Sequence, residues 1–203
     1  MKQGLTYTVI FTFIFCFLFV FILAFVNQST RAYVLANQEL AFKRTLLSSL
    51  DIEASTDQDV QERYAELERL PIGDTILYRA SIDNSVIYAK QFSGAGLWGT
   101  ISGILAVTED LSQVVNMRVI AHNETPGLGG RIDEEWFQEQ LSGERIVDLE
   151  IDVTKANPGD PGDSDKTNGE IDAITGATRT SDAIAVILYD ELQLISSAIR
   201  GGL

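Results

Sequence analysis

Between Leu5 and Val26 the chain carries 22 consecutive residues without a charge, and seven of its ten phenylalanines stand there. About 20 apolar residues in a helix cross the hydrocarbon core of a bilayer, and a helix satisfies its own backbone polar groups on the way. The stretch therefore reads as a transmembrane helix acting as an uncleaved anchor in the lipid bilayer. A cleaved signal peptide has a shorter apolar core, about 7 to 15 residues, and then small residues at the cleavage site. Phe25-Val26-Asn27-Gln28 offers no such pattern, and Cys16 lies in mid-segment, unlike a lipid-attachment cysteine. Lys2 stands on one side while Arg31, Lys43 and Arg44 stand close on the other, so the positive-inside count does not orient the segment. Tyr33, Ala36, Leu40, Leu47 and Leu50 keep a three-four spacing, which predicts that the helix continues as an amphipathic stalk toward Asp51.

Beyond Asn27 stand 176 residues, the size of one ordinary domain. The expected division is 1–27 anchor, 28–70 helical stalk and linker, and 71–203 a single domain. After Asn27 there are 14 basic and 29 acidic residues, a net charge of −15, and phosphate backbones repel such a surface. That argues against nucleic acid as a partner. The lone Cys16 excludes a disulfide scaffold, and with His122 as the only histidine a Cys/His zinc site has too few ligands.

Pro71 and Gly73 break whatever precedes them, and the sheet is expected to begin after them. Strands are predicted at Thr75–Arg79, Val86–Phe92, Thr100–Thr108, Val114–Ala121 and Ile146–Val153. In the last two, apolar and polar residues alternate, so each has one buried face and one wet face. The short Glu109–Gln113 connection predicts a hairpin. Antiparallel pairing follows, and with it an α+β class: one largely antiparallel twisted sheet flanked by helices.

Asn157–Gly169, NPGDPGDSDKTNG, is a run of turn formers and reads as a solvated surface loop. An EF-hand register starting at Asp163 fails, because it needs glycine at Asn168 and a carboxylate at Ile174. The final helix is predicted from the apolar stripe Ile184, Ile187, Leu188, Leu192, Ile195 and Ile199. Ser181 is its expected N-cap, Asp182 suits its first turn, Arg200 suits its last, and Gly201-Gly202 end it.

Just before that helix stands Asp172-Ala173-Ile174-Thr175-Gly176-Ala177-Thr178-Arg179-Thr180. Small residues leave the backbone approachable, the helix start supplies N–H groups and positive dipole, and Arg179 adds a cation. An anion, most naturally a phosphate, is stabilised there. A capped helix start rich in threonine accounts for the same residues, and spacing alone does not name a ligand.

The segment Asp172-x-x-Thr175-Gly176-Ala177-Thr178 matches without a departure the Asp-x-x-(Ser/Thr)-Gly-Ala-Thr flavinylation motif, and the chain resembles the FMN-binding domain family on it. That family includes the covalent-flavin subunits of the Nqr and Rnf respiratory complexes. The resemblance implies that a separate flavin transferase, using FAD, esterifies the FMN phosphate to Thr178. A second block agrees: Gly96-Leu97-Trp98-Gly99, a hairpin, then His122-Asn123-Glu124-Thr125-Pro126-Gly127-Leu128-Gly129-Gly130. It is similar to the family's Gly-Leu-Trp segment and to its Glu-Thr-Pro-Gly-Leu-Gly loop beside the isoalloxazine. The likeness covers about 94–185 well, and 28–93 only in layout.

A phosphodiester on Thr178 keeps one negative charge for the helix terminus and Arg179 to stabilise. Gly127, Gly129 and Gly130 let backbone groups approach the ring, while Leu128 and Trp98 offer apolar contact. Each residue has a plainer account beside this one. Trp98 serves equally as core packing, His122 as a hydrogen-bonding strand end, and Glu124 and Thr125 as shapers of the turn before Pro126. Asp172 is either structural or, by resemblance, a recognition point for the transferase.

The implied function is a redox subunit, not catalytic alone, relaying electrons within a membrane complex whose other subunits are its partners. By resemblance the flavin domain lies on the periplasmic face of the inner membrane. Gly-Leu-Trp and Gly-Leu-Gly-Gly look more like the Nqr subunit, and the length looks more like the Rnf one. A covalent-FMN carrier serving another extracytosolic reductase, or a non-redox structural adaptor, are the competing classes.

Overall fold

The structure is a computed structural model of the chain, and it describes residues 2–82, 85–154 and 162–202. The chain divides into two compact units, 1–41 and 42–203. Helix α1 (Lys2–Ser49) contains the one apolar helix, among the described residues, long enough to cross a membrane. Its phenylalanines stack in i,i+4 ladders, with Phe11 and Phe15 centroids 4.5 Å apart. Thr8 and Thr30 donate back to the carbonyls of Gly4 and Val26, both at 2.9 Å, so neither hydroxyl needs water. The predicted continuation of the helix past the apolar stretch is present. Its last turns, from Phe42, belong to the second unit, where Leu46, Leu47 and Leu50 are buried.

In that unit α2 (Asp57–Glu66) starts at a capping box, with Thr56 accepting from Asp59 N and Asp59 accepting from Thr56 N. Five strands come next as an antiparallel meander in chain order: β1 (Glu68–Ile72), β2 (Thr75–Ile82), β3 (Ser85–Ala95), β4 (Thr100–Thr108) and β5 (Val114–Ala121). The antiparallel class and the Glu109–Gln113 hairpin are as the sequence predicts. The sheet starts earlier than expected. Pro71 lies on β1, an edge strand, where its missing N–H costs no ladder bond, and Gly73 makes the turn with φ +56°.

Ile146–Val153 is not one strand. Asp148 and Leu149 take φ of +52° and +63°, closing a tight turn across the Val147–Glu150 bridge. The alternation of apolar and acidic residues imitated a strand that the backbone does not form. Only β6 (Asp152–Thr154) is extended, and it pairs in parallel with β7 (Glu170–Asp172). Of the expected loop Asn157–Gly169, residues 157–161 lie outside the described residues. In the rest, Asp163 and Asp165 accept from the backbone N–H two residues ahead, at 2.8 and 3.0 Å.

A 3₁₀ turn (Gly129–Asp133) and α3 (Glu135–Leu141) connect the two sheets. The last helix, α4 (Thr178–Arg200), buries Ile184, Ile187, Leu188, Leu192 and Ile195 in one core with Phe92, Ile101, Leu105 and Met117. Gly94 is required by this contact, because a Cβ there would stand 2.3 Å from Ile187 Cγ1. The helix begins three residues before Ser181, so Ser181 is not its N-cap and Asp182 lies beyond its first turn. The buried Ser181 hydroxyl instead accepts from Ile174 N at 3.0 Å and donates to Ala177 O at 3.2 Å. Arg200 in the last turn and Gly201 at the C-cap are as expected.

Between β3 and α4, Lys90 and Glu191 form an ion pair at 2.5 Å with side chains only 6% and 13% exposed. Removing one partner strands a buried charge. Lys90→Met is expected to cost about 3–5 kcal/mol in urea unfolding, and Lys90→Met with Glu191→Leu to recover most of it.

Candidate functional site

Three segments converge at the start of α4, and main-chain bonds fix the first of them point by point. Asp172 ends β7 and is 3% exposed. Ala173 N donates to Thr154 O at 2.8 Å, Ile174 N to Ser181 Oγ, and Ala177 N to Ile174 O at 2.9 Å. Gly176, at φ +80°, turns the chain where a side chain would be strained. Thr175, Gly176, Thr178 and Arg179 are left exposed while Ala177 and Thr180 are buried, so the segment alternates between anchors and displayed residues. Thr178 is the first residue of α4. The N-cap, Ala177, makes no side-chain capping bond, and no acid stands in the first turn. The positive end of a 23-residue helix therefore meets Thr178 and Arg179, and the carboxylate beside its first turn is that of Glu124, bonded to Thr180.

The second and third segments are tied to the first by Glu124, which is 4% exposed. Its Oε1 accepts from Trp98 N at 3.0 Å, and its Oε2 accepts from Thr180 Oγ1 at 2.6 Å. One carboxylate thus joins the hairpin tip Gly96–Gly99, the loop after β5 and the first turn of α4. Its oxygens also explain two glycines. A Cβ on Gly96 would stand 2.5 Å from Oε1, and one on Gly129 would stand 2.7 Å from Oε2 and 2.4 Å from Thr180 Oγ1. Thr125 acts through its carbonyl, which accepts from Leu128 N at 3.1 Å and Gly130 N at 2.9 Å, and Gly127 turns the loop at φ +74°. His122 Nδ1 accepts from Glu124 N at 3.1 Å, with Nε2 3.4 Å from Asp133. It is a hydrogen-bonding strand end.

Trp98 is 69% exposed, which removes core packing from its two readings. Leu128 is also exposed, with Cδ2 3.5 Å from where a Cβ on Gly176 would stand. A cleft of about 360 Å³ opens between the hairpin tip and α4, lined by Ala95, Gly96, Leu97, Arg179, Asp182, Ala183 and Val186, so it holds one cation and one carboxylate. Among the predicted site residues, Thr175, Gly176, Thr178, Arg179, Leu128 and Trp98 are exposed, whereas Glu124, Thr180 and Asp172 are buried, the first two bonded to each other.

Sequence reasoning missed the supports beneath the segment. Gln140 bonds both main-chain groups of Asp172. Glu144, fully buried, accepts through Oε1 from Gly169 N at 2.9 Å and Arg145 N at 3.1 Å. Neither belongs to a motif, and in EWFQEQL and SGER both read as surface polars. Burial pushes the Glu144 carboxyl above its ordinary range, against the backbone N–H groups that lower it.

A raised folded-state value means the folded chain holds that proton to higher pH than the unfolded chain does. Its stabilising contribution is then present below the unfolded value of about 4.3 and is lost as pH rises through the folded one. Glu144→Gln keeps the acceptor oxygen and removes the titration. It is expected to narrow the difference in Tm between pH 4.5 and 7.5, read by circular dichroism.

Residues 96–193 match the FMN-binding domain family, a span that starts at the hairpin tip and runs through the displayed threonine into α4. Those residues, just under half of the chain, are matched as an FMN-binding domain. Over 163 residues it is 29% identical to the G subunit of the ion-translocating oxidoreductase complex of Methanosarcina acetivorans, covering 79% of this chain and 76% of that one. Over 100 residues it is 35% identical to the C subunit of the Na(+)-translocating NADH-quinone reductase of Pseudomonas aeruginosa, covering 47% of this chain but only 38% of the relative. The crystal structure of the corresponding Na(+)-translocating NADH-quinone reductase chain from Parabacteroides distasonis superposes with a TM-score of 0.65 at 22% identity, over 83% of this chain and 96% of that one, which shows a shared fold.

The residues present fit the cofactor that gives the FMN-binding domain its name. Its phosphate is an anion suited to the uncapped α4 terminus and Arg179, and its flat apolar ring suits exposed Leu128 and Trp98 beside a glycine-bent loop.

Proposed function

We propose that Thr178 carries FMN through a phosphoester and that the chain relays electrons as a subunit of an ion-translocating oxidoreductase complex of the Rnf or Nqr type. The observation that carries this reading is the display of Thr178: an exposed hydroxyl on the first residue of an uncapped helix, inside a motif otherwise anchored by buried bonds. In the transfer step the Thr178 oxygen bonds to the flavin-side phosphorus of FAD, the diphosphate P–O bond breaks, AMP leaves, and the hydroxyl proton goes to solvent. The product phosphodiester retains one negative charge at the helix terminus, and the tether replaces binding affinity. Bound FMN supplies one- and two-electron chemistry, and the protein holds and shields its ring.

The apolar helix anchors the chain in the inner membrane, with the flavin domain on the periplasmic face and the other complex subunits as partners. Coexpression with a flavin transferase is expected to give a fluorescent band in a denaturing gel and an added FMN mass on the Thr178 peptide. An unmodified Thr178 peptide with flavin on another residue rejects the assignment. Copurifying subunits decide the complex: an iron–sulfur ferredoxin oxidase indicates Rnf, and a quinone-reducing set indicates Nqr.

A further inference from the structure

Among the described residues, the strand that delivers the displayed threonine has a strand neighbour on one edge only. β7 bonds to β6 through Asp152 N to Gly169 O and Ala173 N to Thr154 O, at 2.9 and 2.8 Å. Main-chain groups alternate sides along a strand, so the N–H and C=O of Asp172 face the other edge. There the side chain of Gln140, 2% exposed, takes the place of a missing strand. Its Oε1 accepts from Asp172 N at 2.7 Å and from Asp163 N at 2.8 Å, and its Nε2 donates to Asp172 O at 3.3 Å. Turning the amide over would aim Nε2 at two N–H donors, so the network fixes its orientation. The helix bearing Gln140 is itself held, because Lys166 Nζ donates to the carbonyls of Glu139 and Gln140 at 2.8 and 2.6 Å.

We propose that Gln140 is a positioning residue for flavin attachment: by clamping both sides of Asp172 it fixes where the acceptor segment leaves the sheet, and hence where Thr178 meets the transferase. This rests on the reading of Thr178 as the acceptor. The segment between them, 173–177, is only five residues long, and its bonds at Ala173, Ile174 and Ala177 hold it between β6 and α4, so the Gln140 clamp sets the end from which it starts. Group transfer between two macromolecules depends on such placement, and a displacement of about 1 Å at the reacting atom costs on the order of 100-fold. Nothing in Gln140 touches the reacting atoms.

The test compares purified flavin-free full-length chains as substrates of a flavin transferase with FAD, by rate of appearance of covalent flavin. Gln140→Met keeps the volume and removes both polar groups, and Gln140→Glu keeps the acceptor oxygen for two N–H donors and loses the donor. Lys90→Met is a destabilised control whose lesion lies between β3 and α4. Gln140→Met is expected to lower kcat/KM about 10- to 100-fold, with Gln140→Glu in between and Lys90→Met at the unaltered rate. Amide hydrogen exchange is expected to speed at Asp163 and Asp172 and not in β4.

Unaltered transfer to Gln140→Met, or equal slowing in Lys90→Met, overturns the proposal. If Gln140→Met does not fold, Gln140→Glu against Lys90→Met decides by the same criteria. Should the unsubstituted chain gain no flavin, or gain it away from Thr178, the acceptor reading fails first and the clamp falls with it. That result is distinct from one in which only the Gln140 variants behave unexpectedly.

Discussion

Thr178→Ala, coexpressed with a flavin transferase, is expected to give a colourless, folded chain of unmodified mass, with in-gel flavin fluorescence lost completely. The loss is all or none because the ester needs an oxygen at that position, and neighbouring hydroxyls do not substitute. Thr180 is buried and donates to Glu124, and Thr175 lies before the turn at Gly176, away from the helix start. Stability is expected to change by less than about 0.5 kcal/mol, since Thr178 is exposed and makes no cap. Thr178→Ser retains the hydroxyl and should retain fluorescence. Flavin persisting on the Ala variant would return the segment to an ordinary threonine-rich helix start, with the phosphate lodged elsewhere.

The displayed residues of the site and the buried Glu124, Thr180 and Asp172 were legible in the sequence, whereas Gln140 and Glu144 were not, for a physical reason. Thr178, Gly176 and the loop glycines obey local rules: a helix terminus with a small-residue approach, and turns that need positive φ. The roles of Gln140 and Glu144 depend on partners about 25 to 32 residues away, Gly169 and Asp172, so no local pattern announces them.

The same divide runs through the fold. The apolar face of α4 follows from periodicity, and β4 and β5 lie where strands are expected, but β5 does not alternate between a buried and a wet face: Asn116 is 3% exposed and Ala121 is exposed. By contrast, Ile146–Val153 shows strand periodicity, yet left-handed φ at Asp148 and Leu149 folds it into a turn. Ser181 looked like a cap because serine precedes the apolar stripe, but the helix had already begun at Thr178 and its hydroxyl is used inside. β1 was hidden by Pro71, which an edge strand accommodates.

Glu124 is the position at which the two readings of the second motif give opposite results. As a strut, its function is geometric: two oxygens accept from two segments, and charge is incidental. Glu124→Ala then leaves the buried Thr180 hydroxyl without its acceptor, at about 1–3 kcal/mol, breaks the bond to the Trp98 N–H, and frees the loop and hairpin tip from α4. Glu124→Gln keeps Oε1 for Trp98, and its amide donates to Thr180 Oγ1, whose hydroxyl rotates to accept. It is expected to unfold near the unsubstituted chain and to carry flavin of unaltered absorption and midpoint potential.

If Glu124 acted on the ring through its charge, Glu124→Gln would raise the potential while leaving stability intact, and that outcome defeats the strut. Gly129→Ala supplies an independent check. Its Cβ meets Thr180 Oγ1 and Glu124 Oε2, which are bonded to each other and cannot both retreat, so it should lose as much stability as Glu124→Ala. Because both substitutions break one contact, the double variant Glu124→Ala/Gly129→Ala is expected to lose much less than the sum of the two. Additive losses would mean that the glycine and the carboxylate serve separate ends.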